Sequence, residues 1–286
     1  VRSRRQRQMC IRDRNNGALT GSVGSIYRPV KNWIFSANFS TAFRSPNVDD
    51  IGKVFDSQPG SVVIPNPNLK AEYAYSIDMS VKKVFDDWLE IDLTGYYTLL
   101  ENALVRRNFT LNNQDSIIYD NQLSQVQAIQ NAATAIIYGL EAGIEIELPK
   151  GFSFSSDFNY QKGQEELDNG DISPSRHAVP WFGTTRLKYS ANKLNLQLYT
   201  TYQGERKFEN LSKEEQSKIN IYALDGNGNP YAPSWYTLNF KTMYQFSTNF
   251  IVSAGIENIT DQRYRSYSSG ISGAGRNFIL SLKAKF

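Results

Sequence analysis

A chain of 286 residues with one histidine and one cysteine has few groups for nucleophilic or metal chemistry. His177 stands in "SPSRHAVPWF" and Cys10 in "VRSRRQRQMCIRDR". Ser-His-Asp and Cys-His catalysis both need a base beside the nucleophile. Only His177 could be that base, and no nucleophile motif points to it. A single cysteine excludes a disulfide framework or a thiolate cluster. Asp225, Asn227 and Asn229 in "DGNGNPY" follow the first steps of a calcium loop, but Pro230 takes the place of the sixth-position Gly and Tyr236 that of the twelfth-position Glu. "GISGAGR" (270–276) lacks the G-x-G-x-x-G order and the βαβ setting of a dinucleotide site. No enzyme, resident cofactor or metal centre is expected. What remains is recognition chemistry. His177 and Arg44 are candidate ligand contacts, as are Tyr222, Tyr231, Tyr264 and Tyr267. These tyrosines lie in or beside long aperiodic stretches, where binding residues concentrate, and their rings suit a flat or aromatic ligand.

The elements that must carry these stretches are strands. "FSFSSDFNY" (152–160) puts Phe152, Phe154, Phe158 and Tyr160 on one face and Ser153, Ser155, Asp157 and Asn159 on the other. "LNLQLYTTY" (194–202) and "GIEIEL" (143–148) alternate in the same way. Period-two alternation is the signature of a strand with one oily and one wet face. About eleven such segments follow one another: 18–28, 33–45, 71–84, 89–106, 132–148, 152–166, 181–190, 194–208, 234–246, 250–258 and 275–286.

Their connections alternate too. "PVKN" (29–32), "FDD" (85–87), "PKG" (149–151), "ANK" (191–193) and "STN" (247–249) are tight turns. Long loops fall between them at 46–70, 107–131, 167–180, 209–233 and 259–274. Short turns at one end and long loops at the other, with strands often above ten residues, predict an antiparallel transmembrane β-barrel. No apolar run is long enough for a transmembrane helix, and a barrel needs none. Four tryptophans mark the strand ends: Trp33 and Trp88 by short turns, Trp181 and Trp235 by long loops. That placement predicts two interfacial girdles. The final segment "RNFILSLKAKF" sets Phe278, Leu280, Leu282, Ala284 and Phe286 on one face, the lipid face of a last strand, with Ile279 the exception on the other.

Residues 1–14 hold six of the arginines against one Asp and show neither period. They are expected to be a non-native or disordered leader, with the fold spanning 15–286. Without them the chain is slightly acidic, so no nucleic-acid partner is expected.

Four stretches taken together, "STAFRSPNVDDI" (40–51), "IPNPNLKAEYAYSIDMSVKK" (64–83), "YGLEAGIEIELPKGFSFSSDFNY" (138–160) and "GIENITDQRYRSY" (255–267), resemble the C-terminal half of TonB-dependent receptors. The resemblance spans nearly all of 17–286. It implies the last eleven strands of a 22-stranded outer-membrane barrel, whose plug and TonB-contacting region lie outside this sequence. It further implies import of a ferric siderophore, haem or similar scarce nutrient in a Gram-negative bacterium. The partners implied are outer-membrane lipid, the TonB complex and the barrel assembly machinery, which would read the terminal aromatic strand. A passive porin and a surface-binding barrel without transport are the alternatives. Phe43-Arg44-Ser45-Pro46 and Asn66-Pro67-Asn68-Leu69 resemble paired boxes of haem receptors, but no histidine lies between them here. Arg44, at a strand end, is expected to pair with a carboxylate such as Glu72.

Overall fold

The computed structural model describes residues 17–285 except 53, 59, 132, 133, 167–169, 177 and 214. His177, Phe286 and the Arg-rich segment 1–14 therefore lie outside the described residues. The chain is all-β, and the wall strands are eleven: β1 Ser22–Tyr27, β2 Trp33–Arg44, β3 Glu72–Phe85, β4 Leu89–Glu101, β5 Thr134–Leu148, β6 Phe152–Glu166, β7 Phe182–Ala191, β8 Leu194–Gln203, β9 Trp235–Gln245, β10 Phe250–Glu257 and β11 Asn277–Ala284. Each pairs antiparallel with its neighbours in chain order. This is the meander that short turns and long loops impose. Among the described residues β1 and β11 each keep one unpaired edge, so the sheet is open.

Turn chemistry fixes the register of the short connections. In the turn between β5 and β6, Lys150 (φ 66°) and Gly151 (φ 83°) both sit in the left-handed region. A Cβ on Gly151 would lie 2.2 Å from the Ser190 carbonyl oxygen, so the position tolerates only glycine. Asp86 and Asn192 supply the same positive φ in two other turns, as Asp and Asn do most readily after glycine.

The two faces of the wall differ as the alternation demands. On one, Phe39, Met79, Leu93, Leu198 and Leu280 are 40–72% exposed. On the other, side chains pair across strands: Ser76 with Thr98 (2.8 Å), Asn159 with Glu141 (2.9 Å), Thr201 with Thr237 (2.7 Å), and Arg186 with Asp157. Apolar side chains are buried chiefly outside the wall, around Val62, Ile64, Val126 and Ala128 and around Leu211, Tyr222 and Ala232. A water-soluble sheet does the reverse, packing its apolar face onto a core. A wall whose oily face is left uncovered, and whose wet face is internally hydrogen-bonded, has the polarity expected of a membrane-barrel wall.

Two expected boundaries move. The segment 89–106 divides at Asn102 (φ 54°), and Leu104–Asn108 turns away into a second sheet. Loops 46–70 and 107–131 are not irregular. Phe55–Gln58, Ser61–Ile64, Gln122–Asn131 and Leu104–Asn108 form that sheet in this order, and Ser116–Tyr119 also pairs with Gln122–Asn131. Ser61–Ile64 runs parallel to Gln125–Ala128, which joins the two loops directly.

The tryptophans divide. Trp33 lies against Phe35 (ring centroids 5.6 Å), a residue of the apolar face. Trp181 stacks near Phe158 and Tyr202 at 6.2 and 6.1 Å, also on that face. Trp88 is half-exposed in its short turn. The girdle expectation for Trp235 is corrected. Trp235 pairs with Gln203, and Thr237 with Thr201, so by alternation it shares the polar face. Tyr236, 52% exposed, takes the outward position instead.

Candidate ligand cavity in the long loops

Beyond β8 and β9 the ladder continues: Arg206 and Ala232 exchange both backbone hydrogen bonds at 2.9 Å. The loop between them folds on itself through two short 3-10 turns, Phe208–Asn210 and Glu215–Ser217, and a two-residue hairpin, Ala223–Leu224 with Pro230–Tyr231. Asp225 closes that hairpin. Its Oδ1 accepts from the backbone N–H groups of Asn227 and Asn229, both at 2.8 Å. These bonds hold the carboxyl below the usual range despite partial desolvation. The carboxylate that suggested a calcium loop is thus occupied with backbone donors.

The last long loop hangs on "GIENITDQRY". Asn258 is buried. Its Oδ1 accepts from Gln262 N–H (2.8 Å), and its Nδ2 donates to the carbonyls of Gln262 (2.8 Å) and Ala274 (3.0 Å). Asp261 Oδ1 accepts from Arg276 N–H at 2.8 Å. These bonds clamp both ends of the loop together. Gly273 then passes flat under Tyr264, where a Cβ would meet the ring at 2.3 Å.

So positioned, the two loops enclose a cavity of about 280 Å³ whose lining includes Tyr222, Trp235, Arg263, Tyr264, Arg265 and Tyr267. Trp235 and Tyr264 are in close ring contact, with centroids 4.4 Å apart and planes tilted by 35°. Tyr222 and Tyr267, also in the lining, have ring centroids 6.1 Å apart and both donate to the buried Glu215: Tyr222 to Oε1 and Tyr267 to Oε2, each at 2.7 Å. Burial pushes the Glu215 carboxyl up, but the bonds from Tyr267 and Tyr222 outweigh it, and the net shift is downward. Both phenols are pushed up, first by burial and then by the carboxylate they serve. Arg265 donates to the carbonyls of Asn220 (3.4 Å) and Ile221 (3.3 Å), tying the two loops. Arg206 lies 5.6 Å from the Tyr267 ring centre, at cation–π distance.

Residues 5–259 match the family model "TonB dependent receptor-like, beta-barrel". The chain belongs to that family. Among relatives, Hemoglobin-binding protein A of Haemophilus influenzae is 26% identical over 82% of this chain and 24% of its own length. Hemoglobin-haptoglobin utilization protein B of Neisseria meningitidis is 24% identical over 90% of this chain and 33% of its own length. Among solved structures, a mutant of the ferric enterobactin receptor PfeA of Pseudomonas aeruginosa superposes with a TM-score of 0.70 over 93% of this chain and 40% of that one, at 18% identity. The chain therefore spans a quarter to two fifths of the proteins it matches.

In this TonB-dependent receptor chain the candidates sort into two loop clusters. Tyr222, Tyr264 and Tyr267 meet at the cavity, while Tyr231 is half-buried in the small hairpin and does not line it. Arg44 belongs to the other cluster, and its expected partner is corrected. Although Arg44 and Glu72 are cross-strand neighbours, Arg44 binds Asp50 at 3.0 Å, and Glu72 accepts from Leu104 N–H at 2.8 Å. Asp50 is held ready by a reciprocal turn, accepting from Asn47 N–H (3.0 Å) and donating its own N–H to Asn47 Oδ1 (2.9 Å). The Asn66-Pro67-Asn68-Leu69 box is a corner. Asn66 donates to Ile129 O (2.9 Å) and caps Asn68, and Leu69 is wholly buried. Asn131 binds both the N–H and the carbonyl of Lys70 at 2.7 and 3.1 Å. Glu215, Arg263 and Arg265 were not among the sequence candidates. "SKEEQSK" reads as a solvated charge run, and nothing local distinguishes a buried glutamate there. The arginines flanking Tyr264 in "DQRYRSY" were the one available signal.

Proposed function

We propose that this chain is the C-terminal half of a 22-stranded outer-membrane receptor that imports a ferric siderophore, haem or a similar scarce nutrient, energised through TonB. The observation that carries the reading is the reversed polarity of the wall, joined to loop cores at one end only. The apolar face needs lipid, and the unpaired edges of β1 and β11 need further strands, because unsatisfied backbone groups in hydrocarbon cost several kcal/mol each (about 2–7 kcal/mol). Homologues of this family are outer-membrane proteins of Gram-negative bacteria, which supports the location. The names of the relatives, haemoglobin-binding proteins on one side and ferric enterobactin receptors on the other, support an iron source as the cargo class. The terminal aromatic strand, the barrel assembly machinery that would read it, and the girdle residues Trp33, Trp88 and Trp181 complete the proposal.

The test is uptake. The complete receptor is expressed in an outer-membrane-competent strain lacking its own iron receptors, and radioiron accumulation is followed from ferric catecholates, ferric hydroxamates and haem. Saturable uptake of one class, abolished in a strain without TonB, is the expected result. Uptake that persists without TonB and rises linearly with concentration would identify a passive porin. Surface binding with no accumulation would identify an adhesin.

A further inference from the structure

We propose that the cavity between the loop after β8 and the loop after β10 binds a single aromatic ring bearing anionic oxygens, one arm of a larger chelate rather than a whole macrocycle. The inference rests on the import reading for its biological setting, but its chemistry rests on the cavity alone. The cavity's size comes first: about 280 Å³ lies at the small end of the roughly 300–1,000 Å³ usual for ligand pockets. It fits a substituted ring, and a porphyrin would have to leave most of its surface outside.

Shape and charge agree with this. Trp235 and Tyr264 form a close aromatic pair with their rings tilted by 35°, and Ile221, Ala223, Ala232 and Pro233 add an aliphatic side to a lining otherwise made of tyrosine, serine and arginine, which favours a flat ring with polar edges. No carboxylate is among the lining residues, whereas two arginines are. Arg265 is committed to backbone carbonyls. Arg263 is exposed at the cavity and has no hydrogen-bond or ion-pair partner among the described residues. Glu215, the acid that joins the two loops, is fully buried and already serves two phenols.

Unmet hydrogen-bonding capacity on the same ladder has one sign. Gln203 Nε2, Arg206 Nε and Trp235 Nε1 are buried donors without an acceptor in the described structure. Gln203 and Trp235 are cross-strand partners, and Arg206 lies three residues further along the same register. Buried polar groups in folded proteins are nearly always satisfied, so the orphaned donor of Trp235, which lines the cavity, with those of Gln203 and Arg206 next to it on the ladder and the unpaired Arg263 guanidinium, marks the place of an acceptor-rich, anionic group. Arginine suits it because its planar fork meets paired anionic oxygens in two parallel bonds.

The experiment uses the complete receptor in outer-membrane vesicles, with 2,3-dihydroxybenzoate as the probe and saturation-transfer NMR and tryptophan quenching as readouts. Inorganic phosphate and haem are run as competitors. Wild type is expected to bind the probe saturably, with the ring protons receiving the transfer, and phosphate at equal concentration is expected not to displace it. Arg263→Gln, which breaks no hydrogen bond or ion pair among the described residues, should weaken binding about tenfold with the receptor's surface level unchanged. Tyr264→Leu should weaken it similarly while retaining Arg263. An Arg263→Gln variant that binds the ring as wild type does overturns the proposal. So does displacement by phosphate, which would mark a simple anion site, or haem binding that depends on Arg263 while the ring does not bind. Ring binding that is intact in a receptor importing no iron source would refute the import reading and leave the site standing.

Discussion

Tyr267, in the last long loop, donates its phenol to Glu215, 52 residues earlier, at 2.7 Å. Tyr222 takes the other carboxylate oxygen at the same distance. One buried acid thus holds two loops at the angle that shapes the cavity. A buried carboxylate is tolerated only when its lone pairs are matched. Here the match also sets where Tyr267 and its neighbour Tyr264 can stand.

Replacing that acid removes the partner of two buried phenols at once. Glu215→Ala is expected to destabilise the loop unit by about 2–4 kcal/mol, above the about 1–3 kcal/mol typical of one orphaned group. Glu215→Gln, which keeps the shape, should cost less. Limited proteolysis within 209–233 and amide exchange at 259–274 read this directly. The wall should be unaffected, so heat-modified mobility on gels serves as the control.

The same network makes the loops sensitive to pH at both extremes. The Glu215 carboxyl is lowered in the fold, so its contribution is fully present above its ordinary value of 4.5 and is lost as pH falls through the lower folded value. The Tyr222 and Tyr267 phenols are raised, so their contribution is fully present below their ordinary value of 10 and is lost as pH climbs beyond it. Protease resistance of the two loops should therefore be flat from about pH 5 to 9 and fall on either side. Loss of resistance between pH 5 and 7 in the wild type would contradict this assignment.

Leu280 and Ser281 are adjacent on β11 and point to opposite faces, opposed to Ala254 and Ser253 of β10. Leu280→Arg should destabilise insertion into lipid vesicles by about 2–4 kcal/mol if it lies near the bilayer midplane. Ser281→Arg, on the polar face, should cost little. Equal effects of the two substitutions in a vesicle-refolding titration would remove the lipid assignment of the apolar face.

The wall was legible in the sequence because its code is local. Each strand carries its own period of two, and each short turn its own Asp, Asn or Gly, so order, pairing and face could be read segment by segment. Phe278, Leu280, Leu282 and Ala284 fall on one face from four letters spaced by two. The loops have no such period. Only the folded chain shows that Arg44 chooses Asp50 over the Glu72 opposite it, and that Ser61–Ile64 runs parallel to Gln125–Ala128. Trp235 shows the limit most plainly. Its position beside a long loop suggested a girdle residue, yet the register with Gln203 turns it onto the polar face and against Tyr264. Alternation within a strand needs only the chain's own stereochemistry. A contact between two aperiodic loops depends on how the whole sheet brings their ends together, and only the tertiary structure decides it.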